Sequence, residues 1–344
     1  MTIADVARRA AVSTATVSRV LAGLGGARPA TRQRVEWAAR DLGYRPSAIA
    51  RSLKLRTTRT LGLVITDIEN PFFPHLVRAV EDAAHERGYA VVLCNAADDP
   101  EREAFYLDLL VERRMDGVII ASSRLAGRHR RWLRNPPLPV VMVNATTPLG
   151  PPSVKSDDRG GGDLAAAHLI ELGHQRLAVL TPGRRYPDAA PRLAGVRAGI
   201  RTRQAGVTLA VATGVPTIAG GASAMTDLLE VQGGVKGGVT GVIAYNDLMA
   251  IGAMRTIRGA GCRIPDDISV VGFDDIDVAK WTEPPLTTVA QSVGKLGGLA
   301  VERLTSGLHQ PVAGNADRAA IARHDQVVVP VHLEIRASTG PAPA

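Results

Sequence analysis

Apolar residues recur at helical spacing in three short stretches within the first 45 residues. The stretches consist of Ile3, Val6, Ala7 and Ala10; of Val17, Val20 and Leu21; and of Val35, Ala38, Ala39 and Leu42. Spacings of three and four residues place each set on one face of a helix, and Gly43 marks the end of the third helix. Two short helices joined by a tight turn, with a third that completes the core, predict a helix-turn-helix domain.

The residues around the second stretch predict how this small all-α domain would contact DNA. Thr2 with Asp5 is a capping pair for the first helix, and Ser13 is a good N-cap for the second. Small side chains let a helix enter a major groove deeply, arginine can pair with guanine, and threonine can touch a thymine methyl group. Such side chains occupy the polar face of the second helix, at Thr14, Ala15, Thr16, Ser18 and Arg19.

After Arg59 the pattern changes to short β-rich apolar runs that alternate with helical stripes. The runs are LGLVIT (61–66), YAVVLCNA (89–96), DGVIIAS (116–122), PVVMVN (139–144), QRLAVLTP (175–182), TGVIAYND (240–247) and ISVVGFDD (268–275). This alternation predicts α/β architecture, with parallel sheets covered on both faces by helices. Ligands bind such sheets at the carboxyl ends of the strands, where the polar residues Asn144, Asn246 and Asp274 fall.

Charge is distributed unevenly along the chain. The 344 residues carry 41 Lys and Arg against 33 Asp and Glu, a net charge of +8. Residues 1–60 hold 12 of the basic and only 3 of the acidic residues, so their net charge is +9 and the rest of the chain carries −1. A basic head on a nearly neutral body is typical of a nucleic-acid-binding domain joined to a second functional domain. No apolar run is long enough to span a membrane, and the N-terminus lacks a signal-peptide core, so we expect a cytoplasmic protein.

The segments TIADVARRAAVSTATVSRVL and TRQRVEWAARDLGYRPSAIARSLK resemble the DNA-binding head of the lac-repressor family, with RPSAIARSLK most similar to its purine-repressor branch. The resemblance continues through DIENPFF, HLIELGHQRLAVL, RLAGVRAG, YNDLMAIGAM and IPDDISVVGFDDIDVAKWTEPPLTTVAQS. It implies a helix-turn-helix domain at 1–45, a hinge helix and linker at 46–59 and an effector-binding domain at 60–340. The implied function is sequence-specific transcriptional regulation, as a repressor, under the control of a small-molecule effector.

The resemblance also assigns DNA contacts to the head and the hinge. In the family, the hinge helix pairs with that of a second subunit in the minor groove, where a leucine at the position of Leu53 opens the central base pairs. The implied DNA-binding residues are Thr2, Ser13, Thr14, Ala15, Thr16, Ser18, Arg19, Ser47, Ala50, Leu53 and Lys54. Ala11 departs from the family, which usually has glycine at this turn position; alanine with a positive φ costs roughly 1 kcal/mol.

The implied fold of the body is a periplasmic-binding-protein-like pair of lobes. The chain is expected to cross between them near 157–163, 288–292 and 322–328, so that one lobe combines about 60–159 with 291–323 and the other 160–290 with 324–340. The implied effector-binding residues are Phe72, Ser123, Asn144, Arg192, Asn246 and Asp274. The 182–191 loop and Asn144 depart from the nucleobase-binding members, which favours a sugar or sugar derivative as effector.

Two other classes of protein remain to be weighed against a regulator. A sugar-binding transport protein would need a secretion signal and would not need the basic helical head, and no nucleophile, metal cluster or cofactor fingerprint supports an enzyme. Cys94 and Cys262 lack metal-ligand spacing, and no cofactor is expected. The expected partners are a pseudo-palindromic DNA operator, a carbohydrate effector and a second copy of the chain, because no leucine heptad that would form tetramers follows EIRAST.

Overall fold

The chain forms two compact units, Met1–Arg59 and Thr60–Ala344, here called the head and the body. The computed structural model describes residues 1–21, 23, 26–44, 57–121, 130–145, 150–183, 186–203, 206–231, 238–308 and 325–343. Five of the predicted site residues lie outside the described residues: Ser47, Ala50, Leu53, Lys54 and Ser123.

The helices of the head follow the apolar spacing of its sequence. Helix α1 spans Ile3–Ala10, α2 spans Thr14–Leu21 and α3 spans Pro29–Asp41. Their buried side chains are Val6, Ala7, Ala10, Val17, Val20, Val35, Ala38 and Ala39. The predicted caps are confirmed, because Thr2 Oγ1 accepts a hydrogen bond from the Asp5 backbone N–H at 3.4 Å and Ser13 Oγ accepts one from the backbone N–H of Thr16 at 3.1 Å.

Ala11 adopts a left-handed backbone conformation at the end of α1, with φ 49° and ψ 50°. Its backbone N–H donates to the carbonyl oxygen of Arg8 at 3.3 Å, which completes the last turn of the helix. A β-carbon in this conformation lies too close to the following carbonyl oxygen, so the turn carries strain that glycine would avoid.

Replacing Ala11 with glycine is therefore expected to stabilise the head by up to about 1 kcal/mol. Amide hydrogen exchange in α1 and α2, measured by mass spectrometry on the full chain, should slow by up to about 5-fold. The matched control is Ala10→Gly, which removes a buried methyl group from the helix and should accelerate the same exchange. Faster exchange in both variants would contradict the assigned strain.

In the described residues the body contains two six-stranded sheets. The strands are β1 Thr60–Ile65, β2 Ala90–Asn95, β3 Gly117–Ala121, β4 Val140–Val143, β5 Ser153–Ser156, β6 Arg176–Thr181, β7 Thr208–Thr213, β8 Gly241–Ala244, β9 Ser269–Asp274, β10 Thr287–Ala290, β11 Gln326–Val329 and β12 His332–Glu334. The first sheet has the order β11-β5-β4-β3-β1-β2 and the second β12-β10-β9-β8-β6-β7. Neighbouring strands are parallel except β10 and β12, which are antiparallel.

Helices connect the strands, as parallel pairing requires. They are α4 Phe72–Glu86, α5 Pro100–Glu112, α6 Arg130–Arg134, α7 Asp158–Glu171, α8 Ala189–Arg203, α9 Ile218–Val231, α10 Asp247–Gly259, a 3₁₀ helix Asp277–Trp281, and α11 Val293–Leu308. Each sheet with its helices forms one lobe of the body. Among the described helices, none combines the length and the apolar character needed to cross a bilayer.

The chain passes between the lobes at three described points. The first two lie between β5 and α7 and between β10 and α11, within the expected ranges. The third lies at Pro330 and Val331, so the expected crossing at 322–328 was wrong. The apolar strand Gln326–Val329 pairs in parallel with β5, and the segment therefore extends the first sheet before the chain enters the second.

Candidate DNA-binding surface and effector site

One face of helix α2 packs against the core of the head, and the opposite face is accessible. Val17 is fully buried and Val20 is 5% exposed, whereas Thr14, Ala15 and Arg19 are exposed. The other predicted DNA-binding residues of the described head are also accessible: Thr2 and Ser13 are exposed, and Thr16 and Ser18 are half-buried. The arrangement presents small, polar and basic side chains on one helix face, as base recognition in a major groove requires.

The surface of the head also carries exposed arginines. Eight of the described arginines of the head are exposed: Arg8, Arg9, Arg19, Arg28, Arg32, Arg34, Arg40 and Arg59. Arg8 lies 3.4 Å from Asp5 and Arg9 lies 3.2 Å from Asp41. Since the head has few acidic residues, its surface remains strongly positive and suited to contact phosphates.

Arg192 lies at the centre of a buried polar cluster in the second lobe. The side chain projects from α8, is only 7% exposed as a residue, and lies 2.9 Å from Asp158, 3.3 Å from Asp188 and 3.8 Å from Asp274. Its Nη1 also donates to the carbonyl oxygen of Tyr245 at 2.6 Å. The structure thus brings together the predicted residues Arg192 and Asp274, with further carboxylates around them.

Close packing of α7 against α8 places Asp158 beside this guanidinium group. A β-carbon on Gly162 would lie 2.1 Å from the carbonyl oxygen of Arg192, so glycine is needed at this point of close approach. The rings of Phe273 and Tyr245 flank the guanidinium, with ring centroids 3.7 Å and 4.6 Å from its central carbon. These contacts fix the orientation of the buried Arg192 side chain.

Gln291 connects the cluster to the first lobe. Its Nε2 donates to Asp274 at 2.6 Å, and its Oε1 accepts hydrogen bonds from Asn144 Nδ2 at 2.9 Å and from Ser156 Oγ at 2.5 Å. Asn144 directly follows the buried strand β4, and Asp274 is the last residue of the buried strand β9. Their φ values are 47° and 115°, which are uncommon for residues other than glycine. Both therefore reach Gln291 from unusual backbone conformations held by the surrounding sheets.

Two predicted effector residues have other contacts in this structure. Phe72, the first residue of α4, is 4% exposed and packs into the core of the body, edge-to-face with Phe73 at 5.4 Å. Asn246 caps α10, because its Oδ1 accepts from the backbone N–H of Met249 at 2.9 Å, and its Nδ2 donates to Pro216 at 3.3 Å. In this conformation, neither side chain belongs to the contact network of Arg192.

Burial shifts the acidity of the cluster. It raises the pKa of Asp158 to about 6 and that of Asp274 to about 7, in spite of the attraction of Arg192. Burial, together with the charge of Asp274, also raises the pKa of Asp247. Burial opposes the charge of Arg192, but the carboxylates of Asp158 and Asp188 outweigh it and raise the guanidinium pKa. One cation among several carboxyl groups favours a neutral, hydroxyl-rich ligand over an anion.

The cavity beside Arg192 is small. It has a volume of about 20 Å³ and is lined by Thr181, Ala189, Tyr245 and Phe273 among others. This is space for about one water molecule, whereas pockets for small molecules typically have about 300–1,000 Å³. All the residues that line this cavity belong to the second lobe, so a sugar could enter it only if those side chains moved.

Comparison with known proteins identifies the family. The head, at residues 2–47, matches the family of bacterial regulatory proteins of the lacI type, and residues 166–339 match the periplasmic binding protein-like domain. The chain is 39% identical over 315 residues to the ribose operon repressor of Escherichia coli (strain K12), which covers 90% of this chain and 94% of that protein. The chain belongs to the lacI family of bacterial regulatory proteins. It is a DNA-binding transcriptional regulator, and its family is not one of enzymes.

Two solved structures extend the similarity of this regulator to its three-dimensional form. One is the lac repressor dimer bound to operator and the anti-inducer ONPF, which is 28% identical to this chain with a TM-score of 0.85. The similarity covers 99% of this chain and 99% of that chain. A LacI family transcriptional regulator from Enterococcus faecium with bound ribose is 31% identical, with a TM-score of 0.69 over 82% of this chain and 99% of that chain. The regulator therefore shares the helix-turn-helix head and the periplasmic-binding-protein-like body of its family.

Sequence reasoning missed several residues of the regulator's polar cluster. Gln291 follows directly on β10, at a strand's carboxyl end, so the rule that identified Asp274 could have found it. Asp188 precedes Arg192 by four residues, a spacing that places the two side chains together on one helical turn. Asp158 carried no such signal, because it is distant from Arg192 in sequence and only the packing of α7 on α8 joins them.

Proposed function

We propose that this regulator is a homodimeric repressor whose affinity for a pseudo-palindromic operator is controlled by a neutral sugar bound between the two lobes of each body. The observation that carries the proposal is the buried Arg192 cluster, which Gln291 links to both lobes. Arg192 and Asp274 are the proposed principal effector contacts. The other proposed contacts are Phe72, Ser123, Asn144 and Asn246. Because the target is DNA, we place its site of action in the cytoplasm.

The exposed face of α2 supports the DNA-binding part of the proposal. Arg19 can pair with guanine through two hydrogen bonds, and the small side chains of Thr14 and Ala15 allow close approach to the bases. Two heads would contact half-sites about one helical turn apart. In the hinge, the residues proposed to contact the minor groove are Ser47, Ala50, Leu53 and Lys54.

An exposed apolar surface supports association with a second copy of the chain. Trp281 is 84% exposed and Val278 is 44% exposed, and both lie on the 3₁₀ helix of the second lobe. Large apolar side chains at the surface are typical of protein contacts. The similar lac repressor is a dimer on its operator, which supports the same assembly here.

The charge balance of the cluster supports a neutral sugar over a sugar phosphate or a nucleotide. Arg192 is already within ion-pair distance of three carboxylates, so little positive charge remains for an anionic ligand. Hydroxyl groups can both donate to carboxylates and accept from a guanidinium. A ribose-bound relative of 31% identity makes D-ribose the first sugar to test.

We expect D-ribose to bind the full chain and D-ribose 5-phosphate to bind at least about 100-fold more weakly, because like charges placed together cost several kcal/mol. Isothermal titration calorimetry measures both affinities. Operator DNA is first obtained by selection from random sequences, which should yield an inverted repeat. D-ribose should then change the operator affinity, measured by fluorescence anisotropy, by at least about 10-fold.

Two arginine variants separate base reading from general attraction to DNA. Arg19→Ala should lower affinity for the selected operator by roughly 5- to 150-fold and weaken the base preference. Arg40→Ala removes the same charge from α3 and should affect all sequences equally. Neither variant should alter sugar binding. A chain without preference for any inverted repeat would refute the DNA part of the proposal, and equal binding of the sugar and its phosphate would refute the effector part.

A further inference from the structure

One part-buried hydrogen bond joins the lobes at a distance from Gln291. The hydroxyl of Tyr186, in the loop before α8, donates to Asp98 Oδ2 in the first lobe at 3.2 Å. Tyr186 is 8% exposed. A second polar contact between the lobes, His75 with Asp277 at 3.2 Å, has side chains 42% and 71% exposed and is therefore open to competition from water. The Tyr186–Asp98 contact is better shielded.

The loop that carries Asp98 is held in a defined and strained conformation. The backbone N–H of Asp98 donates to the carbonyl oxygen of Thr66, just beyond the end of β1, at 2.8 Å. Ala97 and Asp98 are consecutive left-handed residues, with φ values of 51° and 57°. Such a pair of residues other than glycine is costly and is retained where the surrounding structure requires it. Here it directs the Asp98 carboxylate toward the opposite lobe.

The tyrosine on the other side is equally fixed and touches the effector cluster. The Tyr186 backbone N–H donates to the carbonyl oxygen of Gly183 at 3.2 Å. Its ring lies edge-to-face on Tyr245, with centroids 6.1 Å apart. Tyr245 in turn donates its hydroxyl to Asp188 at 2.7 Å and stacks on Arg192. A displacement of Tyr186 is therefore transmitted through one ring to Arg192.

The position of the proposed effector site between the lobes gives this contact a role. Because the proposed effector site lies between the lobes, the lobes must separate for entry and exit, and a hydrogen bond that spans them must break each time. From this geometry we infer that Tyr186 and Asp98 form a latch that holds the lobes closed over the effector. Tyr186 is a positioning residue in this role, since it acts on the lifetime of the closed form. The inference rests on the proposed sugar site between the lobes.

Removal of the Tyr186 hydroxyl should mainly accelerate release of the effector. In Tyr186→Phe we expect the dissociation rate of D-ribose, measured by stopped-flow fluorescence on the full chain, to rise about 5- to 10-fold while the association rate changes less than twofold. Asp98→Ala, which removes the acceptor of this hydrogen bond, should have the same effect. The double variant should be no faster than either single variant, because both remove one contact. Tyr106→Phe in α5 removes a hydroxyl from the first lobe and should leave both rates unchanged.

A second measurement does not depend on the identity of the effector. In the sugar-free chain, amide hydrogen exchange of peptides that contain Asp98 and Tyr186 should be at least about threefold faster in Tyr186→Phe than in the parent protein. Unchanged hydrogen exchange would overturn the latch. A change of equal size in the association and dissociation rates of D-ribose would overturn it as well. Faster exchange in a chain that fails to bind D-ribose would support the latch and refute the proposed sugar.

Discussion

Replacement of Arg192 by alanine is expected to lower the free energy of unfolding of the body by about 3–5 kcal/mol and to abolish effector binding. The variant would leave Asp158, Asp188 and Asp274 buried together without the guanidinium that neutralises them. Arg192→Lys keeps the charge but has no planar guanidinium group to contact several carboxylates at once. The free energy of unfolding of this variant should therefore lie between those of Arg192→Ala and the parent protein. Denaturant unfolding followed by circular dichroism measures the stability, and calorimetry measures the affinity for D-ribose.

A second arginine on α8 provides the control for this prediction. Arg203 also forms an ion pair, with Asp163 at 2.8 Å, but the two side chains are 31% and 38% exposed. Arg203→Ala should therefore cost less than about 1 kcal/mol and leave the sugar affinity unchanged. Equal losses in the two alanine variants would show that burial of the carboxylates around Arg192 does not determine the result.

Replacement of Asp274 by asparagine should weaken D-ribose binding at least about 100-fold, because a carboxylate that accepts from sugar hydroxyls is lost. The same change should raise the stability of the body at pH 8. Burial raises the pKa of Asp274 from 3.8 to about 7, so its charge above pH 7 is unfavourable in the folded chain. Asparagine carries no charge, and Gln291 can still donate to its carbonyl oxygen. An increase of at least about 2 °C in melting temperature is expected at pH 8.

The pH dependence follows from the same shift. Between about pH 4 and pH 7 the folded chain keeps the proton of Asp274 while the unfolded chain loses it, so the free energy of unfolding falls as the pH rises through this window. Asp158, with its pKa raised to about 6, contributes the same sign up to about pH 6. Asp274→Asn should flatten this decline, as thermal unfolding at several pH values would show.

Asp267→Asn is the comparison, because hydrogen bonds from Arg263 lower the pKa of this exposed carboxyl. That variant should be no more stable than the parent protein at pH 8 and should bind the sugar normally. If Asp274→Asn were less stable than the parent protein at every pH, the assigned cost of its buried charge would be wrong.

The sequence alone determined the head of this regulator. Its stripes and caps depend on residues within four positions of one another, and local spacing carries that information, whereas the left-handed turn at Ala11 was implied by the resemblance to the family. The sequence also predicted the uneven charge, which is a property of composition, and the exposed face of α2, which is a property of one helix. In the body, the alternation of strands and helices predicted the architecture, and the polar ends of the strands predicted Asp274 as a site residue, whereas Arg192 was implied by the resemblance to the family.

The tertiary structure alone decided how that site is completed. The carboxylates of Asp158 and Asp188 join Arg192 because α7 and α8 approach at Gly162, and Gln291 joins Asn144 to Asp274 because the chain crosses between the sheets there. Phe72 shows the converse, since an aromatic residue implied as an effector contact lies in the core in this conformation. Periodicity records which face of an element is buried, whereas contacts between residues far apart in sequence depend on which elements pack together and how closely.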